Sequence, residues 1–243
     1  MNFHIMTLFP GMVEAVLSES IIGRAREAGF ITVKEYDIRD HANNKHNKVD
    51  DTPYGGGMGM VMAAPPVCEC HNAVLHGIPI GNSRRTVYVS PKGRILDHGT
   101  AVRLSRYDDL IILCGHYEGI DERAIEEVAD EQISIGDYVL TGGELPACIL
   151  VDCVSRLIPG VLPDPSCYED ESIASGVLEY PQYTRPYEYK GKKVPDVLLS
   201  GHHGNISKWR YERSLELTRE LRPDLLKDAD GEEKSGGKGK KRG

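Results

Sequence analysis

Residues 110–143 read LIILCGHYEGIDERAIEEVADEQISIGDYVLTGG. The first five residues form a continuous apolar run, as in a strand buried on both faces, and Gly115-His116-Tyr117-Glu118-Gly119 ends it abruptly. A helical pattern follows over 121–129. A second strand-like run covers 132–135 and breaks at Ile135-Gly136-Asp137-Tyr138-Val139-Leu140-Thr141-Gly142-Gly143. The same alternation continues outward. Strands are expected over 5–9, 31–36 and 86–89, and helices over 12–28 and 146–157. Strands separated by helices predict an α/β fold with a parallel sheet covered on both faces.

Glycine-bearing turns follow three of these strands: Ser90-Pro91-Lys92-Gly93 and the two quoted above. Ligands of open α/β sheets lie outside the carboxyl ends of the strands, and glycine there lets backbone approach a ligand. Three such turns favour a small-molecule site. The chain has neither the G-x-G-x-x-G of dinucleotide sites nor the G-x-x-x-x-G-K-[ST] of triphosphate sites. Pro53-Tyr54-Gly55-Gly56-Gly57-Met58-Gly59-Met60, between ordered-looking neighbours, reads as a functional loop without the residues that hold phosphate and magnesium.

The charge is unevenly spread. Residues 1–180 carry 14 Lys and Arg against 27 Asp and Glu, whereas 181–223 carry 9 against 5. A basic part on an acidic chain hints at a polyanion partner, although a solvated face would look the same. Pro163-Asp164-Pro165-Ser166 and Glu169-Asp170-Glu171 read as a linker. Beyond it, 205–221 is a basic amphipathic helix carrying the only tryptophan, Trp209. The residues from 228 onward are charged and rich in Gly and Lys, a composition that predicts disorder. The six cysteines have no framework spacing, and Cys68-Glu69-Cys70-His71 lacks the second pair a zinc site needs, so reduced thiols are expected. No run approaches the ~20 apolar residues of a membrane span. The first residues enter a strand without a signal-peptide pattern, so a cytoplasmic protein is expected.

Five blocks of the sequence resemble the bacterial tRNA (guanine-N1)-methyltransferases that modify guanosine 37. They are Val49-Asp50-Asp51-Thr52-Pro53-Tyr54-Gly55-Gly56-Gly57, Gly115-His116-Tyr117-Glu118-Gly119-Ile120-Asp121, Ser134-Ile135-Gly136-Asp137-Tyr138-Val139-Leu140, Gly142-Gly143-Glu144-Leu145-Pro146 and Tyr180-Pro181-Gln182-Tyr183-Thr184-Arg185-Pro186. The similarity runs in order from residue 3 to about 226. It implies a SPOUT-type sheet with a deep trefoil knot over 1–163, a linker over 164–176, a small helical tRNA-binding domain over 177–227 and a disordered tail over 228–243. It also implies S-adenosylmethionine as methyl donor, tRNA with guanosine at position 37 as substrate, and a homodimer with sites built from both subunits. No motif decides whether a divalent cation takes part.

On this resemblance, backbone groups of Tyr88, Val89, Ser90, Gly115, Ile135, Gly136, Asp137, Tyr138, Val139 and Leu140 hold adenine and ribose. Tyr117, Gly119 and Pro146 complete the site, Gly142 and Gly143 allow close approach, and Glu118 pairs with the ammonium of the methionine portion. Glu118 equally suits a helix N-terminus on dipole grounds alone. Methylation at N1 needs a base for the ring proton and a cation beside O6. Arg156 takes the second role. For the first, the family has aspartate before Ser where this chain has Glu171 before Ser172, with Asp170 one place earlier. Glu171 is the expected base and Asp170 the alternative. Lys92 stands where the family commonly has glutamine, and His202 replaces an asparagine. Asp50, Tyr54, Gly55, Gly56 and Gly57 are expected at the substrate. Arg185, Lys208 and Arg210, with Lys190, Lys192, Lys193 and Arg213, are expected on phosphates. A SPOUT methyltransferase acting on ribosomal RNA and a nonenzymatic RNA-binding module are the competing readings.

Overall fold

Along β6 (Asp109–Cys114) successive residues bury on opposite faces of the sheet. Leu110, Ile112 and Cys114 join one apolar cluster, and Ile111 and Leu113 join another. This period of two, with neither face left to solvent, requires cover on both sides. In the computed structural model, which describes residues 1–164 and 176–227, that cover is helical. Five parallel strands, β1 (Asn2–Thr7), β2 (Thr32–Asp37), β5 (Arg84–Ile95), β6 and β7 (Glu131–Ser134), lie in the order β2-β1-β6-β5-β7. α1 (Pro10–Leu17), α2 (Ser20–Glu27), α4 (His98–Leu104) and α6 (Glu144–Ser155) close one face around Phe3, Ile5, Val87 and Val89. α3 (Ala64–Gly77) and α5 (Glu122–Val128) close the other around Met6, Tyr88 and Met62. Burying each large apolar side chain contributes about 1.5–3 kcal/mol, which makes these two clusters the main stabilising force.

Three expectations need correction. The helix expected over 12–28 is two helices. Ser18 ends α1, Glu19 is extended and Ser20 takes a φ of 57°, and the turn brings α2 so close to α1 that a Cβ at Gly23 would meet the Ser18 carbonyl oxygen at 2.1 Å. The strand expected over 5–9 instead runs from Asn2 to Thr7, and Phe9 is already the N-cap of α1. The segment Ser90-Pro91-Lys92-Gly93 is not a turn after a strand. It is a kink inside β5, whose register against β7 jumps between Val89 and Arg94. A side chain at Gly93 would meet the backbone of Gln132 and Ile133 at 2.4–2.6 Å, so the kink can press against β7 only as glycine.

The chain divides into two compact units between Asp164 and Pro165. In the second unit, β8 (Glu188–Tyr189) and β9 (Lys192–Lys193) form a short hairpin, followed by α7 (His203–Leu221) and α8 (Asp224–Lys227). Buried Thr218 of α7 holds the start of this unit by accepting a 2.8 Å hydrogen bond from the Leu178 N–H. Among the described residues no helix is long and apolar enough to cross a membrane. Glu171, Asp170 and the tail from 228 onward lie outside the described residues.

Burial also governs the thiols. It pushes Cys70 up to about 12 and, with the Glu144 carboxylate second, Cys148 up to about 11, so neither is a reactive thiolate at neutral pH.

At the amino-terminal end of the sheet one carboxylate is nearly sealed. Asp109 is 1% exposed and accepts from His4 Nε2 at 2.8 Å, Asn2 Nδ2 at 3.0 Å and Asn82 Nδ2 at 2.7 Å. Burial alone would raise its pKa, but these hydrogen bonds outweigh it and hold the carboxyl below the usual range. A lowered folded pKa stabilises the native state above the ordinary carboxylate value, and the benefit disappears as pH falls through the folded pKa. Asp109→Asn is therefore expected to cost about 1–3 kcal/mol at pH 7. Thermal denaturation of both proteins across pH should show the gap narrowing in the low carboxylate range.

Candidate active site

The β5 kink and the glycine turns after β6 and β7 lie on neighbouring strands of the sheet. Their carboxyl ends enclose a cavity of about 330 Å³, within the range of small-ligand pockets. Its floor is Tyr88, Val89 and Ser90 from β5. One wall is the turn after β6, including Gly115, Tyr117, Glu118 and Gly119. The other wall is the turn after β7, with Ile135, Gly136, Tyr138, Val139 and Leu140, closed by Gly142, Gly143 and Pro146. Of the residues expected at the cofactor, only Asp137 is not in the lining. Lys92, which stands where the family commonly has glutamine, lines it too, as do His116, Pro91, Ile133, Ser134 and Thr141, which were not among the residues expected at the cofactor.

Short hydrogen bonds fix the walls. The Gly143 N–H donates to the Gly115 carbonyl at 2.8 Å, and His116 pairs with Gly142 as an isolated antiparallel bridge. The two turns are thereby joined edge to edge. Only glycine permits this: a Cβ at Gly143 would stand 2.8 Å from Cys114 Cα and 2.9 Å from the Gly115 nitrogen. Ser134 Oγ organises the β7 turn by donating to the Gly136 carbonyl at 3.0 Å and accepting from the Gly136 N–H at 3.2 Å. Tyr117 is held at a φ of 58°, a conformation that non-glycine residues rarely adopt and that cavities at functional sites often retain. Desolvation raises the pKa of the buried Tyr88 phenol, so it remains a neutral hydrogen-bonding group at physiological pH.

The glycine-rich loop lies beside this cavity. It joins β3 (Asp50–Asp51) to β4 (Val61–Met62). The Glu118 N–H donates to the Met60 carbonyl at 3.0 Å, and the Met62 N–H donates to the Gly119 carbonyl at 2.9 Å. Gly59 sits directly against the Glu118 side chain, where a Cβ would meet Cγ at 2.5 Å. The loop that carries Tyr54, Gly55, Gly56 and Gly57 is thus pinned to the turn that carries Glu118. At its tip Tyr54 and Met58 are fully exposed. Asp50 stands in the hairpin itself, opposite Met62.

Arg156 caps the far end of α6. Arg185, Lys208 and Arg210 belong to the second unit. There the Arg210 guanidinium lies 4.7 Å from the centre of the Tyr180 ring, and Lys208 Nζ lies 3.9 Å from a Glu212 carboxylate oxygen. Lys190 lies over Tyr189, and Lys193 lies 3.7 Å from Glu188, so the short hairpin is also basic and aromatic. Among the described residues no group of three or more His, Cys, Asp or Glu side chains converges as metal ligands would.

A family model described as tRNA (Guanine-1)-methyltransferase TrmD matches residues 1–228. A tRNA (guanine-N(1)-)-methyltransferase of Ruminiclostridium cellulolyticum is 56% identical over 226 residues, covering 93% of this chain and 96% of the relative. The protein of the same name from Lachnospira eligens is 54% identical over 228 residues, covering 94% and 96%. That from Geobacter sulfurreducens is 53% identical over 230 residues, covering 95% and 93%.

Proposed function

Because the chain belongs to the tRNA (guanine-1)-methyltransferase family, we propose that it transfers a methyl group from S-adenosylmethionine to N1 of guanosine 37 in tRNA. The observation that carries this reading is the cavity at the ends of β5, β6 and β7. It suits this donor because two glycine turns, one of them carrying Glu118, line it. Purine and ribose edges can be met by peptide N–H and C=O groups, and the missing side chains of Gly142 and Gly143 let the two turns meet without a clash. Glu118 is the acid that lines it and would receive an ammonium. The donor supplies an electrophilic methyl on a positively charged sulfur.

The protein must then take the N1 proton and stabilise the charge that develops toward O6. Glu171 is our choice of base, with Asp170 as the alternative, and Arg156 our choice of cation. The loop carrying Tyr54 and Gly55 to Gly57, pinned beside Glu118, would close on the target base, which has to leave the RNA stack to reach the cavity. Arg185, Lys208 and Arg210 of the second unit would bind phosphates, and the residues over 177–227 would act as the tRNA-binding domain after a linker over 164–176. The tRNA substrate puts the reaction in the cytoplasm.

Arg156 bears on the assembly. α6 begins at the cavity, and its 12 residues span about 18 Å, so Arg156 stands a full helix length from the pocket of its own chain. Leu145, Ile149 and Asp152 precede it at helical spacing on one face, and Leu145 and Ile149 are 47% and 41% exposed. With Val16, Ile21 and Ile22 they line an apolar hollow of about 410 Å³. A second copy seated on this face would cover the exposed apolar groups and bring its own Arg156 toward the first copy's pocket. The protein then works as a homodimer with each site drawn from both subunits.

Two experiments test this reading. Labelled methyl donor should transfer to unmodified tRNA carrying G37 and not to the same tRNA carrying A37. Equal labelling of both, or label appearing only in ribosomal RNA, would contradict the assignment. Arg156→Ala alone should lower turnover about 10²-fold, the usual cost of losing one charge-stabilising donor. Mixing it with a Gly143→Val protein, itself inactive in the pocket, should restore activity through heterodimers. A mixture no more active than its parts would place Arg156 and the pocket it serves in one chain.

A further inference from the structure

Two side chains with no role in the scheme above converge on Gly142. A Cβ at that position would lie 2.4 Å from Glu144 Oε2 and 2.8 Å from His116 Nδ1, so both atoms border the same point. His116 lines the cavity, and its ring is held between Phe9, at 4.9 Å, and Tyr117, at 4.7 Å in an edge contact. That packing fixes the direction of Nδ1, which is buried and has no hydrogen-bond partner. Leaving such an atom unpaired costs about 1–3 kcal/mol, and an unpaired buried group in an otherwise well-bonded fold needs a reason.

Glu144 supplies one. It is the first residue of α6, is only 2% exposed and does not line the cavity. Its Oε1 accepts from the Thr7 hydroxyl at 2.8 Å, which ties it to the end of β1. The N-terminal end of a helix favours a carboxylate, but a sealed charge still needs further partners. Its second oxygen faces the gap at Gly142, and across that gap is the unpaired nitrogen of His116. The backbone of Gly142 is bridged to His116 itself, so a small shift of this side-chain-free residue changes the distance between the two groups.

We propose that Glu144 is a positioning residue for the cofactor: when the cavity is filled, His116 Nδ1 engages Glu144 Oε2 across Gly142, and this contact locks the 115–119 and 136–143 turns around the ligand. The proposal rests on the reading that this cavity holds S-adenosylmethionine. It assigns no proton transfer to either residue. Glu144 acts through His116, and His116 acts by holding the wall.

Calorimetric titration of S-adenosylhomocysteine into the full-length protein tests it, with thermal denaturation of every variant alongside. His116→Phe keeps the ring stack on Phe9 and Tyr117 but removes the nitrogen. Glu144→Gln keeps the shape but removes the charge. Each is expected to weaken binding about five- to tenfold, the equivalent of one hydrogen bond, and the double variant no more than the weaker single. The KM for S-adenosylmethionine should rise by the same factor while the KM for tRNA stays put. Losses that multiply in the double variant, or singles that bind as tightly as wild type, would overturn the positioning role. Should Glu144→Gln not fold, Thr7→Val provides the second arm. It removes the hydroxyl that holds Glu144 Oε1, and a loss of the same size should appear, with no added effect on top of His116→Phe. Wild-type protein that takes up no ligand would instead sink the underlying assignment of the cavity, an outcome separate from independent losses.

Discussion

The fold's functional end depends on how closely the chain after β7 approaches the end of β6. The hydrogen bond from the Gly143 N–H to the Gly115 carbonyl, with Gly142 bridged to His116 beside it, leaves no volume for a side chain at that seam. Every other feature of the site follows from the closeness of these two turns. It sets the width of the cavity and brings the first turn of α6 against β1 through Thr7 and Glu144.

On the role proposed for Arg156, the same geometry would leave one chain without a complete site. α6 is a spacer with the cavity at one end and Arg156 at the other. The face between them carries the exposed side chains of Leu145 and Ile149. Pairing two copies on that face would resolve both facts at once. The opposite side of the sheet, closed by α3 and α5, has a different task. It anchors the glycine-rich loop through Met62, which bonds to Gly119 and Asp121 at the mouth of the cavity.

The strand runs were legible in the sequence because a parallel sheet covered on both faces leaves a continuous apolar signature, and Asp109–Cys114 carries it in full. The break between α1 and α2 was not, since Leu17, Ile21, Ile22 and Ala25 keep a helical rhythm across it while the backbone turns at Ser20. The kink in β5 looks in sequence like a strand end, because Pro and Gly signal a turn whether or not the strand resumes beyond them. Most of the cavity lining could be named from motif resemblance, but the pair Thr7 and Glu144, which stands outside that lining, could not. A glutamate opening a helix is ordinarily explained by the dipole alone, and only its burial and its convergence with His116 on Gly142 separate it from that ordinary case. Asp137, adjacent to lining residues in sequence, is absent from the lining, as neighbours in a tight turn often point apart.

If the cavity holds the methyl donor, the β5 kink and the turns after β6 and β7 must grip it together. Amide hydrogen exchange with and without S-adenosylhomocysteine addresses it directly. Slowed exchange is expected only at 88–92, 115–119 and 134–143, with the amino-terminal end of the sheet around Asp109 unchanged. Protection that appears elsewhere, or that leaves the 115–119 and 136–143 turns exchanging as before, would contradict it.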